Sequence, residues 1–173
     1  MKPKLVRARS DDIVLSAIKV MRTNNSYFVQ VIDIVEECNS AYLTVYNYFP
    51  NYYSILVGVA NHVNEQFYAF LNSHTKLEMN TRKNYNWFFI CLMEYLHLDP
   101  FLTKFLGEDL NSLVYINVDT RVKTLYLESK AKLVNFIYLQ LEAAIESGEF
   151  KLPPRTTLSY ISERLYQNYQ QLI

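Results

Sequence analysis

From Ile55 to Leu71 an apolar side chain returns at every fourth position: Ile55, Val59, Val63, Phe67 and Leu71. Only a helix keeps residues at that spacing on one side, so one long helix is predicted from Tyr52 to Asn72. The rest of the chain offers little to interrupt such elements. Three glycines and five prolines in 173 residues are too few for the turns of a sandwich or barrel, and no segment alternates with a period of two. The fold class read from the sequence is all-α.

Other helices are marked by caps and breakers. Ser10, followed by Asp11 and Asp12, suits the start of a helix that carries Ile13, Val14, Ala17, Ile18 and Met21. Asn24-Asn25 ends it, because asparagine tolerates the left-handed conformation that closes helices. A short second helix presents Val31, Ile34, Val35 and Cys38 on one face and stops at Asn39-Ser40. A third, about 41 to 48, turns Val45 and Phe49 inward. Residues 81 to 98 are apolar nearly all round at their centre, which predicts a buried helix ended by Asp99-Pro100. Asp119 or Thr120 caps a long helix with an apolar stripe from Val122 to Ile145, stopped by Gly148. Beyond Pro153-Pro154 a last helix carries Leu158, Ile161, Leu165, Tyr169 and Leu172 on one side.

Composition limits the function classes. Half the residues are hydrophobic and 20% are charged, as in a globular protein. The formal net charge is zero, so the chain as a whole is not a polycation built for nucleic acid. Its cations are nonetheless uneven: Lys2, Lys4, Arg7 and Arg9 precede any acid and form a basic arm over residues 1–9. The longest apolar run, Trp87 to Met93, is far short of a membrane span, and no secretory leader precedes Asp11. Cys38 and Cys91 read as buried thiols in a reducing compartment, and a soluble cytoplasmic protein is expected. There is no phosphate-binding glycine loop, nucleophile elbow or zinc-protease motif, so no enzyme and no cofactor are expected. Glu94 and His97 have the spacing of carboxylate-bridged metal bundles, with His62 and Glu65 reversed. Without further glutamates the better reading is a histidine hydrogen-bonded at the edge of the core, and no metal site.

The first fifty residues carry the functional signal. Three short helices with a tight second turn make the layout of a helix-turn-helix, whose third helix enters the major groove of DNA. The register is informative: Ile13-Val14 through Met21, Asn25, Val31-x-x-Ile34-Val35, Asn39, then Thr44-Val45-Tyr46-Asn47-Tyr48-Phe49. This pattern resembles the N-terminal domain of TetR-family transcription regulators, with Asn25 and Asn39 at that family's glycine positions. The resemblance implies a DNA-binding domain over 1–51 and a helical ligand-binding and dimerisation domain over 52–173. It implies a homodimer on a palindromic operator in double-stranded DNA, most simply as a ligand-responsive repressor. Tyr42, Thr44 and Tyr46 would face the groove and its phosphates. Gln30 would reach the backbone, and Lys4, Arg7 and Arg9 would neutralise phosphates or enter the minor groove.

Departures from the family pattern drain charge from this head. The family's usual lysine is Tyr52, which keeps a hydroxyl to donate. Its Lys-Gly pair is Tyr42-Leu43, its capping serine is Ala41 with Ser40 as a substitute cap, and a threonine is Val29. Binding would lean on tyrosine hydroxyls, contact with thymine methyls and helix N-termini, with a shallow salt dependence. The alternative is a regulator-derived protein that has lost DNA binding and acts through a protein or small molecule. In the larger domain Trp87, Phe88, Tyr95, Phe101, Tyr115, Tyr126, Phe136 and Tyr138 are candidates for an aromatic pocket. It would take a lipophilic or aromatic effector of unknown identity.

Overall fold

The computed structural model describes residues 3–74 and 118–148 and, between them, 88, 90, 91, 93–95, 97–99 and 101, with side chains from Arg9 onward. The fold is all-α, and the described residues contain no strand. Five helices have assigned bounds: α1 Pro3–Thr23, α2 Val31–Glu37, α3 Tyr42–Tyr48, α4 Tyr52–His74 and α5 Thr120–Glu146. Trp87, Tyr115 and the predicted last helix lie outside the described residues.

The turns close as the asparagines suggest. Asn25 and Asn39 both have φ +46°. After α1, Ser26 N–H donates to Met21 O and Asn25 N–H to Arg22 O, both at 3.0 Å. After α2, Ser40 N–H donates to Val35 O and Asn39 N–H to Glu36 O, both at 3.1 Å. Each is the paired closure in which a left-handed residue satisfies the last helical carbonyls. α5 starts on Asp119, whose carboxylate accepts from Arg121 N–H at 3.1 Å and Val122 N–H at 3.2 Å. It ends at Gly148, φ +76°.

Packing divides the chain into two units. The first holds residues 1–62 and 109–127, the second 63–108 and 128–173. The first part of α4 and the start of α5 thus pack with the N-terminal helices. In the first unit Ile13, Ala17, Met21, Ile34, Val45 and Ile55 are fully buried. In the second, Val63, Leu71, Phe88, Cys91, Leu133 and Leu141 are. The α4 repeat is buried throughout, from Ile55 to Leu71.

Several expectations need correction. α1 begins at Pro3, not at Ser10, so residues 3–9 of the basic arm are helical. Nothing from Pro3 to Arg9 breaks a helix, and proline itself is accepted in the first turn, where its missing N–H would be unpaired anyway. Ser40 does not cap α3: the cap position is Ala41, without a side-chain bond. The helical residues between Phe88 and Leu98 are not buried all round, since Ile90, Met93 and Leu98 are exposed. His97 is exposed too and lies with Ile90, Met93 and Glu94 along a surface groove of about 430 Å³, not at a core edge. Cys38 is only half-buried.

Candidate nucleic-acid interface

α3 is a seven-residue helix, Tyr-Leu-Thr-Val-Tyr-Asn-Tyr, too short to be stable by itself. Its inner side supplies the stability. Val45 is fully buried, and Phe49, just past the last turn, is 2% exposed. Phe49 N–H donates to Val45 O at 2.9 Å, and Thr44 N–H to Ala41 O at 2.9 Å. Gly58 of α4 leaves room for the Phe49 ring: a Cβ there would stand 2.7 Å from Phe49 Cε1. At the far end, Arg121 Nη2 donates to Tyr48 O at 2.7 Å, satisfying a terminal carbonyl of α3.

The outer side is left to solvent. Tyr42 is 47% exposed and Leu43 73%. Asn47 is exposed, and Thr44 and Tyr46 are half-exposed. The Tyr42 and Tyr46 hydroxyl oxygens lie 3.5 Å apart, their ring centroids 5.0 Å apart. The hydrogen bond with Tyr42 pushes the Tyr46 phenol above its ordinary pKa of 10.0. The predicted residues Tyr42, Thr44 and Tyr46 therefore sit on one short, partly exposed helix. Leu43 and Asn47, the more exposed neighbours, were not among the predicted contacts. Helical spacing alone would have put them one turn apart on the same side.

The remaining predicted contacts differ in status. Gln30 is exposed at the start of α2 and makes no side-chain cap. Arg9 is exposed, and its guanidinium donates to Ser40 Oγ at 2.6 Å, tying α1 to the turn before α3. The side chains of Lys4 and Arg7 lie outside the described ones. Tyr52 is turned inward: its hydroxyl donates to Tyr27 O and accepts from Val29 N–H at 3.2 Å. Partial burial pushes the phenol upward. Tyr52 thus holds the loop between α1 and α2, and its donor proton is already engaged. Acids stand close in sequence: Asp33, Glu36 and Glu37 on α2, with Glu37 paired to Lys19 at 2.6 Å.

The predicted pocket aromatics divide between the units. Tyr126, 1% exposed, belongs to the first. In the second, Phe88 lies 6.4 Å from Phe136, and Phe136 meets Tyr68 edge-on at 5.5 Å. Tyr95 stacks on Phe67 at 4.4 Å, its hydroxyl 3.5 Å from Val63 O, and burial pushes its phenol far up. Phe101 is half-buried, and the Tyr138 hydroxyl donates to Glu142 at 3.3 Å. Asn64 and Ser129, both buried, are linked at 3.4 Å. Among the described residues no three histidine, cysteine or carboxylate side chains gather as metal ligands, and no helix is long and apolar enough to cross a membrane.

Three N-terminal helices with an exposed third helix have the layout of a helix-turn-helix. No protein-family model matches the sequence, and no curated protein does. Solved structures match the fold. The fatty acid degradation regulator FadR of Bacillus halodurans is 17% identical, with a TM-score of 0.67 over 99% of this chain and 82% of that one. The transcriptional regulator FadR of Bacillus subtilis, solved in complex with stearoyl-CoA, is 19% identical, with a TM-score of 0.67 over 92% of this chain and 82% of that one. A TetR-family transcriptional regulator of Haemophilus influenzae is 17% identical, with a TM-score of 0.52 over 99% and 98%. The chain has the TetR-type regulator fold.

Proposed function

We propose that the protein is a ligand-responsive transcription regulator that binds a palindromic operator as a homodimer through α3. The observation that carries this reading is the two-sidedness of α3: Val45 and Phe49 anchor it, while Tyr42, Leu43 and Asn47 face solvent. A rod so held is what the major groove accepts. Residues 1–51 form the reading domain in this proposal, and 52–173 the sensing and dimerising one. Tyr42, Thr44 and Tyr46 contact bases and phosphates, Gln30 the backbone, and Lys4, Arg7 and Arg9 the phosphates. Tyr52 acts as a positioning residue.

The sensor takes a lipophilic effector among Phe88, Tyr95, Phe101 and Phe136, and stearoyl-CoA, the ligand of the Bacillus subtilis FadR, is the first to try. Effector binding changes operator affinity only as far as it prefers one spacing of the heads. The test is a gel shift with DNA from upstream of the protein's own gene, alongside light scattering for mass. The wild type should be dimeric at micromolar concentration and should shift the fragment. The triple variant Tyr42→Ala, Thr44→Ala, Tyr46→Ala should stay folded and dimeric without shifting it. A monomer, or wild type and variant behaving alike, sinks the reading. The second reading, a regulator-like protein without DNA binding, is favoured by the uncharged α3 and the acids of α2. It expects no shift from either protein.

A further inference from the structure

We propose that α3 selects A·T and T·A base pairs, with Leu43 reading thymine methyl groups and Asn47 reading adenine. This deepens the DNA-binding reading and rests on it. Base edges differ in what they offer a side chain. Guanine is read through its acceptors by Arg or Lys, and cytosine through its amino group by Asp or Glu. α3 contains neither kind of side chain. Adenine is read bidentately by Asn or Gln, and the thymine methyl by apolar groups. α3 presents both: an exposed carboxamide at Asn47 and an isobutyl group at Leu43 that is 73% exposed. Thr44, half-exposed, can serve either base class through its hydroxyl and adds a methyl group.

The two readers are also correctly spaced. Leu43 and Asn47 are four residues apart, hence on one side of the helix and about 6 Å apart along its axis. Base pairs rise about 3.4 Å each, so the pair spans about two steps of a groove. Beside them, the Tyr42 and Tyr46 rings pack at 5.0 Å with their hydroxyls together, which keeps both rings along the helix surface. Leu43, 73% exposed, buries little of its side chain in the fold of the isolated chain. Covering it against a methyl group removes apolar surface from water, which a polar residue there would not do.

The experiment is selection of bound duplexes from a random library by the full-length protein, repeated with Leu43→Ala and Asn47→Ala. Both positions are exposed, and circular dichroism checks that the variants keep the helical content of the wild type. The wild type should enrich half-sites with only A·T or T·A pairs where the variants relax selection. Replacing thymidine by deoxyuridine at the Leu43-dependent position removes one methyl group and should weaken wild-type binding about fourfold. It should weaken Leu43→Ala less, because alanine covers less of the methyl group than leucine does. Asn47→Ala should lose about tenfold on the selected site and discriminate less at its adenine. Enriched half-sites with G·C pairs at those positions overturn the inference while DNA binding stands. So does an equal deoxyuridine effect in wild type and Leu43→Ala. Enrichment of no duplex at all overturns the DNA-binding reading itself.

Discussion

Gly58 shows how much of the N-terminal helical packing depends on single side chains. A Cβ at this position would stand 2.7 Å from Phe49 Cε1 and 3.4 Å from Val14 Cγ2. Alanine in a helix gains about 1 kcal/mol over glycine, but forcing a methyl group into a filled core costs about 1–3 kcal/mol. The Phe49 ring is buried, so the steric term wins. Gly58→Ala should lower stability by about 1 kcal/mol in urea unfolding, and weaken operator binding because the displaced ring is the one behind α3. His62 carries a pH dependence. Burial holds its imidazole below the ordinary 6.5, against the opposing pull of Asp11. A histidine whose pKa is depressed by folding contributes stability above the unfolded value and loses it as pH falls. Thermal midpoints should therefore decline as pH falls below about 6.5. His62→Gln should flatten that limb; an unchanged limb would assign it to other groups.

At the scale of elements, the short helices α2 and α3 are positioned by their turns more than by their own propensity. Asn39 is left-handed, and its N–H and that of Ser40 close the end of α2. A side chain without asparagine's local hydrogen bonding pays about 1–2 kcal/mol in that conformation, whereas glycine pays none. Asn39→Gly should match or exceed the wild type in urea unfolding, and Asn39→Ala should lose about 1 kcal/mol. Equal stability of the two variants would contradict a turn held by backbone conformation. These turns were legible in the sequence because asparagine in a helix-ending position has a local reason to be there. The α4 repeat and the Asp119 cap were legible for the same reason: period and cap are properties of neighbours in the chain. What was not legible depends on partners far along it. Ser10 reads as the start of α1 because a good cap competes in sequence with a continuous helix. Tyr52 read as a phosphate donor, although its hydroxyl finds Tyr27 and Val29, over twenty residues earlier. Ile90, Met93 and Leu98 read as core, since apolar character does not say which side a residue faces. Leu43 and Asn47 carry no role in the family pattern, which has glycine at the first position and leaves the second unspecified.

At the scale of the whole molecule, charge is the property that separates this chain from a strongly cationic regulator. Seventeen basic side chains balance seventeen acidic ones, so no net field draws it toward DNA. α3 carries no charge, and the Lys19–Glu37 pair neutralises itself beside α2. The cations proposed to meet phosphates are Lys4, Arg7 and Arg9, of which Arg9 already donates to Ser40. In a dimer these three positions supply at most six phosphate contacts, and each contact contributes about −0.9 to the slope of log affinity against log salt. The slope should be no steeper than about −5, where a heavily cationic repressor reaches about −10. Arg9→Ala, removing one cation from each head, should make it shallower by about 2 if Arg9 leaves Ser40 for a phosphate, and should leave it unchanged if the bond to Ser40 persists on DNA. Titrating the selected operator at several salt concentrations reads both numbers. A slope steeper than about −8 in the wild type would mean that cations outside the head reach the duplex, and that specificity rests on phosphate attraction more than on the uncharged face of α3.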